Sequence, residues 1–148
     1  MEQFRQDEGN TLRHDFDIHI NAIESLLNQI PTYEQQRIET AKERINRYFQ
    51  DYANNDVNKD RFEQELIYYL EKLDITEEKV RLKKHIDYFL QTMNNEPICG
   101  KKLGFIAQEM GREINTTGSK SNSVEIQRLV VQMKDELEKI KEQLGNIL

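Results

Sequence analysis

Near the C-terminal end of the sequence, Ile126, Val130, Met133, Leu137, Ile140, Leu144 and Ile147 recur at alternating steps of four and three. That spacing averages half a heptad per turn, so the side chains form one apolar seam along a helix and hold it for three repeats. A strand cannot carry the pattern, because its side chains change face at every residue. A seam of this kind must be covered by another helix, from the same chain or from a second copy. The sequence therefore predicts an all-α fold with a coiled-coil-like C-terminal helix.

The upstream segments repeat the helical period. Leu12, Phe16, His19, Ile23, Leu26 or Leu27, and Ile30 mark a first helix from about Met1 to Ile30. Pro31 suits the first turn of a second helix, where its missing N–H costs nothing, with Ile38, Ala41, Ile45, Tyr48, Phe49 and Tyr52 on its apolar side. A short connection between two long helices predicts an antiparallel hairpin. After the break at "ANNDVN", Asp60 and Glu63 resemble a cap for a third helix carrying Phe62, Leu66, Tyr69, Leu70 and Leu73. Thr76 caps a fourth in this reading, with Val80, Leu82, Ile86, Phe89, Leu90 and Met93. After the turn "NNEPICG", Leu103, Ile106, Met110 and Ile114 define a fifth, and Ser121 or Ser123 caps the sixth. The expectation is one elongated bundle of about six helices over residues 1–148, with a long antiparallel hairpin.

Composition agrees. Charged residues make up 32% and hydrophobics 36%, with two prolines and no tryptophan, a balance that suits amphipathic helices better than sheets. Cys99 is the single cysteine and cannot form an internal disulfide, so nothing points to secretion. No apolar run is long enough to span a membrane, and "MEQFRQDEGN" has no signal-peptide core. A cytoplasmic protein is expected.

A net charge of −6 argues against indiscriminate binding of nucleic acid, but the charge is unevenly spread. Residues 1–78 hold nine Lys/Arg against eighteen Asp/Glu, and residues 79–120 hold eight against four. This one net-basic segment is either a local attraction for a polyanion or a solvated helix face around Lys79, Arg81, Lys83 and Lys84.

Within it, "GFIAQEMGREINTTGSKSN" places Glu109 and Glu113 one turn apart, beside Arg112. Two carboxylates at that spacing can share Mg²⁺ or Mn²⁺; alternatively Arg112 and Lys102 neutralise them on an ordinary surface helix. Gly104 and Gly111 each weaken a helix by about 1 kcal/mol relative to alanine, which implies close approach by a backbone or a ligand. A polar loop is expected to follow, in which Asn115, Thr116, Thr117, Ser119 and Lys120 could bind phosphate oxygens. It is not a Walker A loop, since its glycine spacing is wrong and no strand precedes it. Glu78, Arg81 and His85 share a stripe, where His85 could serve as a general base or be a hydrogen-bonded structural histidine. His14, Asp15 and His19 form a second small cluster. No Glu-x-x-His occurs, which disfavours a di-iron bundle.

The run from "GKKLGFIAQEMGREINTTGSKSN" to "EQLGNIL" closely resembles the C-terminal end of the YicC/YloC family. That family reads Gly-Arg-Arg-Leu-Asp-Phe-x-x-Gln-Glu-Met-Asn-Arg-Glu-x-Asn-Thr-x-x-Ser-Lys in this region. Upstream, "RFEQELIYYLEKLDITEEKVRLKKHIDYF" is similar to the family at Arg61, Gln64, Glu65, Asp74, Glu77, Glu78, Arg81 and His85. The entry "DEGNTLRHDF" is similar as well. Two positions depart: Gly104 stands where the family has Asp, and Gly111 where it has Asn.

The resemblance implies a bacterial, cytoplasmic protein of a group long called stress-induced, regarded as metal-dependent endoribonucleases that assemble around RNA as homo-oligomers, hexamers among them. It carries that reading to Gln108, Glu109, Arg112, Glu113, Asn115, Ser119 and Lys120, and RNA phosphates are expected to approach a basic patch of Lys101, Lys102, Arg112 and Lys120 beside Asn115 and Ser119. Glu109 and Glu113, with Glu65 or Glu78, would hold Mn²⁺ or Mg²⁺, and Glu109, Glu113 and His85 would be catalytic. Family members are about twice as long, so the chain is expected to be the C-terminal helical half, without the family's N-terminal domain. A non-catalytic scaffold that oligomerises and holds RNA is the alternative.

Overall fold

The computed structural model describes residues 2–52, 56–121 and 123–147, and among these every regular element is a helix. There are five: α1 (Glu2–Tyr52), α2 (Asp56–Leu73), α3 (Thr76–Asn95), α4 (Gly100–Lys120) and α5 (Val124–Ile147). None is long and apolar enough to cross a membrane among the described residues.

Four of them close a ring. α1 packs on α3 and α5, and α4 packs on the other sides of both. The polar contacts give the directions. Lys83 pairs with Glu24, and Arg13 Nε donates to the Met93 carbonyl, so α3 descends along α1. Lys120 meets Glu78 while Arg81 meets Glu113, so α4 runs back along α3. Every neighbour in the ring is antiparallel.

The interior is filled by Phe16, Ile20, Ile23, Leu27 and Ile30 of α1, and by Leu82, Ile86, Phe89 and Met93 of α3. Leu103, Ile106, Met110 and Ile114 enter from α4, and the α5 seam from Ile126 to Leu144 closes it. Phe16 and Phe89 meet edge to face with centroids 5.7 Å apart, an arrangement worth about 1 kcal/mol beyond burial alone. The seam thus finds its cover within the chain, except at Ile147, which is partly exposed.

Several expectations change. The first two helices are one. α1 runs through Pro31 for 51 residues, and the return comes only after Tyr52. Proline inside a helix forfeits the bond to the Leu27 carbonyl, at a cost of about 3 kcal/mol. Buried packing on both sides holds the helix together: Leu27 and Ile30 before it, Glu34 and Ala41 after it. There is accordingly no hairpin at Pro31, and five helices replace six.

α2 begins at Asp56, so Asp60 lies within it rather than capping it. Its apolar side is only partly covered: Leu73 is buried, Leu66 and Leu70 are half-buried, and Ile67, Tyr68 and Tyr69 are exposed. Val80 also faces solvent instead of the core. Side chains expected on apolar faces at Tyr48, Phe49, Tyr52 and Phe62 lie outside the described residues.

Caps divide between confirmation and correction. Ser123 Oγ accepts the Ile126 N–H at the start of α5. Thr76 is not the cap of α3; both its N–H and its hydroxyl donate to Asp74 Oδ1.

Candidate nucleic-acid interface

The segment 115–120, expected as a loop, is the last part of α4. Its hydroxyls satisfy their own helix: Thr116 donates to the Arg112 carbonyl at 3.0 Å, Thr117 to Glu113 at 2.8 Å, and Ser119 to Asn115 at 3.0 Å. This back-bonding lets small polar residues continue a helix they would otherwise weaken.

The glycines explain the close approach of α5. A Cβ on Gly118 would meet Val130 Cγ1 at 3.1 Å, and one on Gly111 would meet Leu137 Cδ2 at 3.2 Å. Gly111 and Gly118, two turns apart, thus admit α5 against the α4 backbone. A Cβ on Gly104 would meet nothing within 4 Å, so its role is not packing.

The carbonyls at the end of α4 are closed by distant groups. Gln127 Nε2 donates to the Gly118 and Ser121 carbonyls, and Arg37 reaches the Lys120 carbonyl at 3.4 Å. Arg37 also donates to the Leu73 carbonyl at 2.6 Å, so one guanidinium serves the C-terminal ends of α2 and α4. Cations are favoured there because helix C-termini carry partial negative charge. Burial lowers the Arg37 pKa, against the opposing pull of Glu34 and Tyr69.

Beside this junction lies an ion network. Lys120 Nζ donates to Glu78 Oε1 at 2.7 Å, and Arg81 Nε to Glu113 Oε1 at 2.9 Å. Arg81 also lies 3.7 Å from Glu78 Oε1 and 3.2 Å from Glu77. Glu78 and Glu113 are buried. The hydrogen bond to Glu113 raises the Arg81 pKa.

The structure brings two of the residues predicted as metal ligands, Glu78 and Glu113, onto the one guanidinium of Arg81, and leaves Glu109 and Glu65 outside that network. Glu113 is buried against Arg81, whereas Glu109 is half-exposed, with Arg112 at 3.8 Å. Glu65 is exposed on α2 beside Arg61. Glu78 Oε2 is buried and takes no hydrogen bond among the described residues, but its carboxylate already faces Lys120 and Arg81. Among the described residues no group of three His, Cys, Asp or Glu could hold a metal ion. Among the described residues the candidate acids are therefore not assembled into a site that fits a divalent cation. His85 is half-buried on α3 and takes no part in the network; His19, from the second histidine cluster, binds Glu136 across α1 and α5 at 2.6 Å.

The predicted RNA contacts fare differently. Lys101, Phe105, Gln108, Arg112, Asn115 and Ser119 are all exposed. Their steps of four and three place them on one stripe of α4, about 27 Å long at 1.5 Å per residue. Lys102 is off this line, held by Glu96 at 2.9 Å near the Tyr88 ring. Lys120 lies at the far end, so the basic residues form a track rather than a patch.

At that end, α2 contributes side chains that the periodicity had treated as core or ignored. Tyr68, Tyr69, Lys72, Leu73, Ser119 and Lys120 line one hollow, and Tyr69 and Leu73 continue into a second with Tyr33, Arg37 and Arg44. The adjacent tyrosines of "IYYL" were the available signal, since two neighbouring aromatics cannot both face one core.

Comparison with known proteins identifies the family. The family described as "Endoribonuclease YicC-like, C-terminal" matches residues 30–148. A protein of Clostridioides difficile named "Probable endoribonuclease YicC" is 36% identical over 99% of this chain and 51% of its own length. One of the same name from Haemophilus influenzae is 29% identical over 95% of this chain and 48% of its own. The chain therefore spans about half the length of these curated relatives. It belongs to the YicC-like endoribonuclease family, and corresponds to the C-terminal helical part of that family's proteins.

Proposed function

We propose that this chain is the RNA-contacting part of an endoribonuclease, and that it clamps RNA along α4. The observation that carries this reading is the exposed stripe Lys101, Gln108, Arg112, Asn115 and Ser119, five positions of the family motif that contribute no side chain to the core. Cations and amides in a line suit a backbone of regularly spaced phosphates, which they position without reading sequence.

The buried acids argue for holding over cutting in this half. Glu113 and Glu78 are matched by Arg81 and Lys120 and fasten α3 to α4. The Mn²⁺ or Mg²⁺ implied by the resemblance would then take its ligands mainly from outside this chain, with Glu109 the one acid of the motif left accessible. Assembly as a homo-oligomer belongs to the same proposal, supported by apolar side chains left in solvent at Ile18 and Val131.

A labelled RNA incubated with Mn²⁺ or with chelator tests this. The 148-residue chain is expected to shift the RNA on a gel without cutting it, and the full-length protein to cut it when metal is present. Metal-dependent cleavage by the chain alone would make this half catalytic. Absence of any shift would remove the RNA reading.

A further inference from the structure

The exposed stripe of α4 ends at Ser119, and there it meets a hollow that neither the motif nor the family assignment accounts for. We propose that this cleft, between α2, the middle of α1 and the end of α4, binds unpaired nucleotides of single-stranded RNA by stacking bases on Tyr68 and Tyr69. The proposal rests on the RNA reading of α4 and names the form of RNA that it takes.

Two neighbouring hollows of about 540 and 340 Å³ share Tyr69 and Leu73 in their walls, each within the size range of small-ligand pockets. Tyr68 is 60% exposed and Tyr69 39%. Two adjacent tyrosines on the wall of one hollow present ring surface on which another planar group can stack. Lys72 Nζ sits 4.4 Å from the centre of the Tyr68 ring. It covers one face of the ring and places a positive charge in the wall of the hollow.

Arg37, Arg44, Lys72 and Lys120 line the two hollows, against the carboxylates of Glu71 and Glu125. Arg37 and Lys120 are already fixed by the Leu73 and Asp74 carbonyls and by Glu78, so their charges are held in place before any ligand arrives. A cationic groove with open aromatic faces is the arrangement that binds single strands, because only unpaired bases offer a free face. A protein partner covering the cleft would have to desolvate the exposed Arg44 and Lys72, which makes it the poorer occupant.

Binding is measured by fluorescence anisotropy with a labelled single-stranded RNA and with the same strand annealed to its complement. The chain should prefer the single strand. Tyr68→Ala with Tyr69→Ala should weaken that binding about tenfold or more, Tyr68→Phe with Tyr69→Phe should keep it, and helical circular dichroism should be unchanged. Tyr68→Ala alone, at the more exposed ring, carries the test if the double variant unfolds. Loss of binding by the alanine variant and retention by the phenylalanine variant support the cleft. Unaltered binding by the alanine variants overturns the cleft while leaving the α4 reading intact. Failure of the unmodified chain to bind any RNA overturns that underlying reading instead. Alanine variants that bind RNA normally but lose association with the N-terminal half would assign the tyrosines to a protein contact and end the proposal.

Discussion

Lys120 and Glu78 meet at 2.7 Å although 42 positions separate them in the chain. Sequence reasoning gave one to phosphate and the other to a metal, yet each is the other's partner. Glu78 is buried, and Lys120 is about one-third exposed. Removing the lysine leaves the buried carboxylate with only the more distant Arg81, at 3.7 Å, whereas removing both charges leaves no under-compensated carboxylate. Lys120→Met should lower unfolding free energy by about 1–3 kcal/mol, at the modest end because water reaches the lysine. Glu78→Gln combined with Lys120→Met should recover most of that. Urea unfolding of the two variants decides it, and equal losses would show that the pair is not coupled.

The two acids of the motif should separate by readout. Glu113→Ala removes the partner of Arg81 and a buried side chain, and should cost about 1–2 kcal/mol. Glu109→Ala, at a half-exposed position, should change stability by less than about 0.5 kcal/mol. In the full-length protein, Glu109→Gln is expected to reduce RNA cleavage while thermal unfolding stays in place. Full cleavage by that variant would leave Glu109 with no role in the reaction.

The helix glycines make opposite predictions. Gly104 has room for a side chain, so Gly104→Ala should raise stability by about 0.5–1 kcal/mol through helix propensity. Gly118→Ala forces Val130 Cγ1 from 3.1 Å, so overpacking of about 1–3 kcal/mol outweighs that gain. Trimming the neighbour with Val130→Ala should relieve the clash and reduce the additional effect of Gly118→Ala. Thermal melts of the three variants are sufficient.

Asp74 supplies a pH dependence. Thr76 donates to it through the hydroxyl and then the N–H, with help from Lys120 and Lys79 against desolvation, and the Asp74 pKa falls below its usual value. A depressed carboxylate stabilises the fold above its unfolded pKa, near 3.9, and loses that contribution as pH drops through the folded value. Asp74→Asn should therefore be less stable than the parent at neutral pH, and the difference should vanish once Asp74 is protonated in both the folded and the unfolded parent. Denaturant unfolding between about pH 2 and 7 should show the two curves converging on the acid side.

The correct parts of the sequence reading rest on local periodicity. The seam from Ile126 to Leu144 is buried as its spacing predicted, as are Phe16, Ile23, Ile30, Leu103 and Ile114. Errors came where a local rule met distant packing. Pro31 reads as a helix start, but the core contacts flanking it outweigh its lost bond. The residues of "NTTGSK" read as a loop, but their hydroxyls back-bond within α4 and Gly118 seats α5.

The site was legible only in outline. The motif singled out Gln108, Arg112, Asn115 and Ser119, but their common stripe emerged only once 115–120 proved to be helix instead of loop. What the sequence by itself determined is which residues share a helix face, because that depends on spacing along one element. Which charge neutralises which was decided by tertiary structure alone. Arg81 meets Glu113 across 32 positions, Arg37 meets the Lys120 carbonyl across 83, and His19 meets Glu136 across 117. Coulomb energy and hydrogen bonding follow distance in space, and chain separation carries no information about that distance until the helices have packed.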